Sequence, residues 1–418
     1  MTRIHSFTQN DVPACFEDGV RYFELFSSAV NEATPIGLPL PSELRKFKII
    51  PTVPALDFAT FALSVVATDK AVSRADTADG WTRKIEMTIS LCDATVWNTQ
   101  KANLEKMLRY LTGDFWSLTF LPVDSPSIKQ RYKPVPKDND CVCLLSGGVD
   151  SLVGAIDLAT DGFNPLFVSQ KVRGDAEHQK QFAASLGTDN QFQWSVGKLS
   201  REEGSTRARS IMFFAFAALS ACAIKANGER VKIVVPENGF ISLNTPLDTN
   251  RIGSLSTKTT HPIYMAMLQE VWDTIGMNAE LVLPYKYKTK GEVLKECKNQ
   301  ALLKRLVFDS NSCGKYQRHN LQQCGVCVPC LVRRAAFLEA GLRDVTTKGY
   351  VYENLKYSDS RDLAAVAMAI QQVELQGVER FIKSSLSFAN SEEHRELLGV
   401  VTRGIAELEK LLSSYGVL

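Results

Sequence analysis

The chain has 418 residues, of which 45% are hydrophobic and 22% are charged, and its formal net charge is +2. This composition is typical of a folded globular protein and excludes a disordered or fibrous chain. A charge so close to neutral creates no field that would attract nucleic acid or an anionic membrane, so binding of RNA would need a local basic patch. Since the sequence contains no apolar run of about 18 residues and no signal-peptide pattern, we predict no membrane span and a cytoplasmic location.

The N-terminal region extends to about residue 135, where the proline-rich polar stretch 133–140 indicates a boundary. Apolar and polar residues alternate over 85–91, which predicts a half-buried strand, and 56–66 is a second strand candidate. Apolar residues at helical spacing over 104–111 predict a helix, and 116–121 has the pattern of a further short strand. We therefore predict an α+β domain over 1–135 that could bind a partner protein.

From residue 136 onward, short apolar strands alternate with helical patterns, as in a parallel sheet with crossover helices. Strands are predicted at 141–145, 165–169, 191–196, 231–235 and 280–283, and helices at 151–159, 176–186, 205–226, 264–275 and 290–300. We therefore predict a doubly wound α/β domain over 136–350. Helical patterns at 364–375 and 397–412 predict a helical C-terminal region over 351–418.

A short polar loop follows the predicted strand 141–145, and its residues are Ser146, Gly147, Gly148, Val149, Asp150 and Ser151. Two glycines let a backbone approach a phosphate closely, and the free N–H groups of the following helix stabilise anionic oxygens. The two serines supply hydroxyl donors, and Asp150 could hold Mg²⁺ or orient a nucleotide. The alternative is a glycine-rich turn in which a serine caps the helix.

The position of this loop favours nucleotide binding, because ligands of doubly wound sheets bind outside the carboxyl ends of the strands. The loop lacks the lysine with which a G-x-x-x-x-G-K-[ST] loop reaches the transferred phosphoryl group. It is therefore predicted to hold pyrophosphate as a leaving group rather than to transfer a phosphoryl group.

Four of the ten cysteines lie close together in the pattern C-x10-C-x2-C-x2-C, at Cys313, Cys324, Cys327 and Cys330. Tandem x2 spacings let successive thiolates reach one ion, and four sulfurs complete the tetrahedral shell of a structural Zn²⁺. An iron–sulfur cluster and four unrelated thiols are the alternatives. The other six cysteines are scattered, which predicts small core residues.

The loop 146–151 resembles the S-G-G-x-D-S motif of the PP-loop ATP pyrophosphatases, which adenylate an oxygen of their substrate and release pyrophosphate. Together with the cysteine quartet, Arg333, Arg334 and Phe337, it resembles the 7-cyano-7-deazaguanine synthases over about 141–339. Lys290 matches the lysine that precedes the zinc site in that family, and Arg209 matches its arginine behind the nucleotide. The resemblance implies an ATP-dependent ligase that forms a C–N bond, with ATP, Mg²⁺ and Zn²⁺ as cofactors.

In those enzymes, ATP activates the carboxylate of 7-carboxy-7-deazaguanine, ammonia attacks the acyl-adenylate, and a second activation dehydrates the amide to a nitrile. The resemblance implies that Asp150, Ser151 and Lys290 are catalytic here. It also implies that Arg209 and the loop 146–151 bind ATP.

Two substrate-binding segments of the synthases differ in this chain. Their Gln-Arg-His-x-x-Glu segment has only a loose counterpart within 170–178, and their Tyr-Pro-Asp-Cys segment is replaced by 256–262. Glu237 and Asn238 follow the predicted strand 231–235 at the ligand-binding edge, so we predict that they contact the substrate. His261 precedes a predicted helix, where it could bind a nucleobase edge or act as a base; a capping role is the alternative.

The added N- and C-terminal regions resemble those of the QueC-like proteins of the Qat anti-phage defence system. That resemblance implies a protein partner in a defence complex, whose amine could replace ammonia and receive the 7-deazaguanine. Two other classes remain open: a PP-loop enzyme that modifies tRNA or transfers sulfur, and a nucleotide-binding subunit without catalysis. Nucleic acid is therefore not excluded as a partner, although the near-neutral charge disfavours it.

Overall fold

The computed structural model describes residues 1–418 except 124–127, 129–131, 188–189, 205–206, 226–227, 248–257 and 384. The strands are β1 (Thr2–Phe7), β2 (Val20–Leu25), β3 (Thr34–Ile36), β4 (Lys84–Leu91), β5 (Phe115–Pro122), β6 (Cys141–Leu144), β7 (Pro165–Gln170), β8 (Gln191–Trp194), β9 (Val231–Val234) and β10 (Ala279–Val282). The α-helices are α1 (Leu40–Phe47), α2 (Val53–Ala71), α3 (Ala94–Thr99), α4 (Lys101–Thr112), α5 (Val149–Thr160), α6 (Ala176–Ser185), α7 (Arg209–Ala221), α8 (Gly239–Ser242), α9 (Pro262–Thr274), α10 (Lys290–Lys295), α11 (Gln300–Leu306), α12 (Val328–Glu339), α13 (Arg361–Gln376), α14 (Val378–Ile382) and α15 (Ser391–Ser414). Short 3-10 helices lie at Val307–Asp309, Tyr316–His319 and Leu355–Tyr357.

Two five-stranded sheets organise the chain, in the orders β3-β2-β1-β4-β5 and β10-β9-β6-β7-β8. Each sheet has its first strand between its second and its fourth, and every pairing is parallel. The chain order therefore reverses between β1 and β4 in the first sheet and between β6 and β9 in the second. Ligands of such sheets bind at this reversal, because the loops after the two strands diverge there.

The predicted doubly wound α/β class of the second region is confirmed. Val142 and Leu144 of β6 join the core that contains α7, whereas Cys141 and Cys143 join the core that contains α5 on the opposite face. The predicted helix 290–300 is two helices, because Asn299 accepts a hydrogen bond from the Leu302 N–H and caps a new helix. The predicted ends of helix 205–226 lie outside the described residues.

The first region was predicted to be α+β, and this is wrong: its sheet is entirely parallel, so the region is α/β. Strands β1 to β3 were not predicted from the sequence. In β4, Ile85, Met87 and Ile89 are buried against helices, while Glu86 and Thr88 on the other face are only partly buried. This one-sided cover produces the alternating pattern that is usual in antiparallel sheets.

Helix α2 occupies residues 53–71, where a strand was predicted at 56–66. It is buried on almost every side, because it packs between the first sheet and helix α7. Such a helix shows no polar stripe, so its apolar run cannot be distinguished from a buried strand by periodicity. The first two regions therefore share one continuous hydrophobic core.

A buried cluster of ion pairs also joins these two regions. Asp114 accepts hydrogen bonds from Arg74 at 2.7 Å and from Arg83 at 2.6 Å, and its side chain is fully buried. Asp69 pairs with Arg83 and accepts from the Ala208 N–H at 3.2 Å, just before α7. The cluster thus fixes the start of α7 against the N-terminal sheet.

The predicted C-terminal helices are confirmed as α13 and α15, which pack with the cysteine cluster and α12 into a second core. Helix α15 lies against α8, α10 and α12, which surround the reversal point of the second sheet. No helix in the described part of the chain combines the length and the apolarity that a bilayer span requires.

Candidate functional site

A cavity of about 290 Å³ lies at the reversal point of the second sheet. Its walls include Ser146 and residues 148–151, residues 235–237 after β9, Thr259 and Thr260, Lys290, and residues 311–312 before the cysteine cluster. A second chamber of about 230 Å³ adjoins it and shares Ser146, Phe213 and Thr259. Together the chambers fall within the range of about 300–1,000 Å³ that small-molecule sites occupy.

The loop 146–151 forms a compact turn between β6 and α5. Gly147 has a φ of +93°, which side chains other than glycine rarely adopt. The Ser146 and Ser151 hydroxyls lie 3.1 Å apart, and the Gly148 N–H donates to the Ser146 oxygen at 3.3 Å. Serine at these two positions therefore holds the loop closed.

Helix α5 begins directly after this turn and has Gly148 as its N-cap, without a side-chain hydrogen bond to the cap position. The first N–H groups of a helix have no partner within it, and the helix dipole places partial positive charge at this end. The N-terminus of α5 lines the cavity with Gly148, Val149 and Asp150. This arrangement suits the anionic oxygens of a phosphate chain. The first sheet has no counterpart, since residues 8–19 connect β1 to β2 without a helix.

Asp150 lies at the centre of the charged groups in the cavity and is 5% exposed. Its Oδ2 accepts hydrogen bonds from Lys290 Nζ at 2.8 Å and from Asn238 Nδ2 at 2.7 Å. Its Oδ1 is buried and receives no hydrogen bond from an N–H or hydroxyl donor of the described residues. A buried carboxylate oxygen without a hydrogen-bond donor is a suitable ligand for a hard divalent cation.

Glu237 lines the same cavity beside Asp150. Burial and then the neighbouring Asp150 carboxylate raise the pKa of Glu237 to about 8, although the Lys290 ammonium opposes the rise. A side-chain hydrogen bond between Glu237 and Asp150 also favours the protonated form of Glu237. A divalent cation would favour the ionised form, and two facing carboxylates are suitable ligands for Mg²⁺.

Asn238 is fully buried and acts through its neighbours. Its Oδ1 accepts from the Ile241 N–H at 3.1 Å and caps α8, while its Nδ2 donates to Asp150. The side chain does not line the cavity. The structure thus places Asn238 behind Asp150, as an orienting residue, whereas Glu237 beside it faces the cavity.

Lys290 opens helix α10, which begins with a capping box. Thr289 accepts from the Glu292 N–H at 3.1 Å, and the Glu292 carboxylate accepts from the Thr289 N–H at 2.8 Å. The Lys290 side chain, which is 8% exposed, is thereby directed at Asp150.

Arg209 lies in the adjoining chamber, together with Gln170, Asp175 and Gln179. Its Nε donates to Gln170 Oε1 at 3.5 Å, and the side chain is exposed toward the chamber. Asp175 accepts from Asn311 Nδ2 at 3.0 Å. The predicted nucleotide-binding residues are thus divided between two connected chambers, with Ser146 in both.

The four cysteines predicted to bind metal come together in a buried cluster. Their sulfurs lie within 4.8 Å of one another, and the Cys324–Cys330 and Cys327–Cys313 sulfur pairs are both 3.9 Å apart. Tetrahedral Zn²⁺ with bonds of about 2.3 Å requires sulfurs about 3.8 Å apart. The four thiols therefore fit one zinc ion and would leave no open position for substrate.

Asn311 connects this cluster to the loop 146–151, and the sequence interpretation missed it. Its N–H donates to the Gly147 carbonyl at 3.0 Å, and its Oδ1 accepts from the Cys313 N–H at 3.0 Å. Asn311 and Ser312 also form part of the cavity wall. Only its position two residues before the first cysteine could have drawn attention to it.

His261 is the N-cap of α9, where its Nδ1 accepts from the Ile263 N–H at 3.2 Å. Its ring packs between Tyr110 and Phe388, with both centroids 5.3 Å away, and burial lowers the pKa of His261 to about 3. The side chain is therefore neutral and lies outside the cavity lining. The structure gives His261 the capping role that was its alternative. The preceding Ser256 and Thr257 lie outside the described residues.

In comparisons of the chain with protein-family models, curated proteins and solved structures, nothing matched. The site geometry and the motifs of the chain therefore have to support any functional conclusion.

Proposed function

We propose that the chain is an ATP-dependent ligase that adenylates a carboxylate and releases pyrophosphate. The observation that carries the proposal is the buried Asp150 Oδ1, which accepts from no N–H or hydroxyl of the described residues, beside the N-terminus of α5 and the Lys290 ammonium. These groups supply a cation ligand, a phosphate cradle and a positive charge in one cavity. The loop 146–151 contains no lysine that could contact a transferred phosphoryl group. Its absence from the loop favours pyrophosphate as the leaving group.

In the proposed reaction, a carboxylate oxygen of the substrate attacks the α-phosphorus of ATP, and the bond from this phosphorus to the bridging oxygen of the β-phosphate breaks. The electron pair leaves with pyrophosphate. The α5 N–H groups and the Lys290 ammonium stabilise the charge that develops on it. Mg²⁺ held by Asp150 and Glu237 would neutralise phosphate charge. The second chamber offers space for the carboxylate substrate.

The resemblance to the 7-cyano-7-deazaguanine synthases supports 7-carboxy-7-deazaguanine as the carboxylate. Ammonia or an amine of a partner protein would attack the acyl-adenylate and displace AMP. The resemblance to defence proteins supports the partner. The zinc ion would act structurally, since its four thiolates fill the shell and its loop carries Asn311 to the cavity wall.

Sulfur transfer finds less support. It would need a reactive thiol near the loop, and the described cysteines of β6 are unsuited to this. Burial raises the pKa of Cys141 to about 12 and that of Cys143 well above its usual value. Both remain thiols at neutral pH and are poor nucleophiles.

Mass spectrometry can test the proposal on the purified chain with Mg-ATP, 7-carboxy-7-deazaguanine, and ammonia or candidate partner proteins. The wild type should form AMP, pyrophosphate and an amide, nitrile or protein adduct. Asp150→Ala should abolish all three products, while Asp161→Asn, at an exposed ion pair after α5, should retain them. Binding of ATP without AMP formation would refute this substrate and leave a nucleotide-binding role or an RNA substrate.

A further inference from the structure

The C-terminal helix α15 contacts the two segments that follow the strands β9 and β10. Arg403 pairs with Glu292 of α10 at 2.5 Å and donates to the Tyr287 carbonyl at 2.9 Å. Gly404 lies so close to α8 that a Cβ there would come within 2.3 Å of the Phe240 ring. Helix α15 is therefore packed directly onto the turn behind Asn238 and onto the helix that carries Lys290.

Glu407 is the buried charged residue at the centre of this contact and is 7% exposed. Its carboxylate accepts a hydrogen bond from the Thr289 hydroxyl. It also faces Gly291 so closely that a Cβ at this glycine would lie 2.5 Å from Oε1. Burial raises the pKa of Glu407 to about 7, while the Thr289 hydroxyl and the nearby Gly291 N–H act in the opposite direction by favouring the carboxylate.

Through these contacts, Glu407 sets the conformation of the first turn of α10. The Thr289 hydroxyl oxygen accepts a hydrogen bond from the Glu292 N–H, and its hydrogen still needs an acceptor. The Glu407 carboxylate is that acceptor. The Gly291 N–H is one of the helix donors that have no partner within α10. A carboxylate in this place therefore fixes both the cap side chain and the backbone next to Lys290.

We propose that Glu407 is a positioning residue, which acts through Thr289 and Gly291 to hold the Lys290 ammonium on Asp150. The proposal rests on the proposed function for the role of Lys290, and it makes the C-terminal region a structural part of the ATP-activating site. The pairing of Lys286 with Glu393 adds a second attachment of α15 to the segment before α10.

The test compares Glu407→Ala and Glu407→Gln with Glu409→Ala, a matched change on the exposed side of the same helix. The first readout needs no turnover: the rate at which Lys290 is acetylated, measured by mass spectrometry. Glu407→Ala should release the ammonium from Asp150 and speed its acetylation several-fold. Glu407→Gln keeps an oxygen acceptor and should stay near the wild-type rate, as should Glu409→Ala.

The second readout is pyrophosphate release. Glu407→Ala should lower kcat about tenfold or more, since small misplacements of catalytic groups are costly, whereas Glu407→Gln and Glu409→Ala should stay near the wild-type kcat. Combined with Lys290→Met, it should cause no further loss, because both changes remove the same interaction. Equal Lys290 acetylation and equal kcat in Glu407→Ala and Glu409→Ala would overturn the proposal.

Two further outcomes keep the two proposals separate. If the wild type releases no pyrophosphate, the proposed function fails, while the acetylation of Lys290 still decides the role of Glu407. If Glu407→Ala does not fold, Glu407→Asp replaces it. The carboxylate would then be shorter by one methylene group, and Lys290 acetylation equal to that of Glu407→Gln would refute the positioning role.

Discussion

Replacing Lys290 by methionine tests the electrostatic basis of the site. The change removes the ammonium that lies 2.8 Å from Asp150 Oδ2, where the two side chains are 8% and 6% exposed. At an effective dielectric constant of about 20, two unit charges at this distance attract by about 6 kcal/mol. The cost of desolvating both groups offsets part of this attraction in the wild type. In the variant, however, the Asp150 carboxylate stays buried without the ammonium, which destabilises the folded state. We therefore expect Lys290→Met to lower the free energy of unfolding by about 3–5 kcal/mol.

Urea unfolding at pH 7 without nucleotide measures this loss directly. Lys290→Met combined with Asp150→Asn removes the unpaired charge, so the double variant should be more stable than Lys290→Met alone. Lys298→Met is the matched control, because it breaks the exposed pair with Asp161 and should change stability little. A Lys290→Met protein as stable as the Lys298→Met protein would refute the reasoning.

The same variants connect stability to activity. Lys290→Met should reduce kcat for pyrophosphate release by about 10²–10³, because it removes one group that stabilises the leaving pyrophosphate in the proposed reaction. Lys290→Arg keeps the charge and should lose less. A Lys290→Met enzyme with wild-type kcat would show that this ammonium has a structural role only.

Three other predictions concern the cysteine cluster, the buried ion pairs and the cap of α9. Elemental analysis should find one zinc ion per chain, lost in Cys327→Ser and retained in Cys15→Ser; iron in its place would contradict a zinc site. Asp114→Ala leaves buried Arg83 without one of its carboxylates and should cost about 3–5 kcal/mol in chemical unfolding, with unchanged affinity for ATP. His261→Ala should cost about 1 kcal/mol through loss of the cap and leave KM for the carboxylate substrate unchanged. A large increase in this KM would restore His261 to the substrate site.

The local motifs of this protein were readable from the sequence because their chemistry depends on neighbours along the chain. The turn at 146–151 needs two glycines between a strand and a helix, and the cysteine cluster needs two x2 spacings. The strands of the second sheet were also found, since each is a short apolar run followed by a helix. ATP, the 7-deazaguanine substrate and the defence partner remain predictions.

Tertiary structure decided what depends on contacts between distant segments. Helix α2 could not be recognised because burial on all sides removes the polar stripe, and the first sheet was misjudged because helices cover only one of its faces. Asn238 and Asn311 acquire their roles from Asp150 and Gly147, which are far away in the sequence. Glu407 meets Thr289 across 118 positions, and no local pattern marks such a pair. A spacing of a few residues specifies a loop or a metal shell, whereas the environment of a side chain is set only when the chain has folded around it.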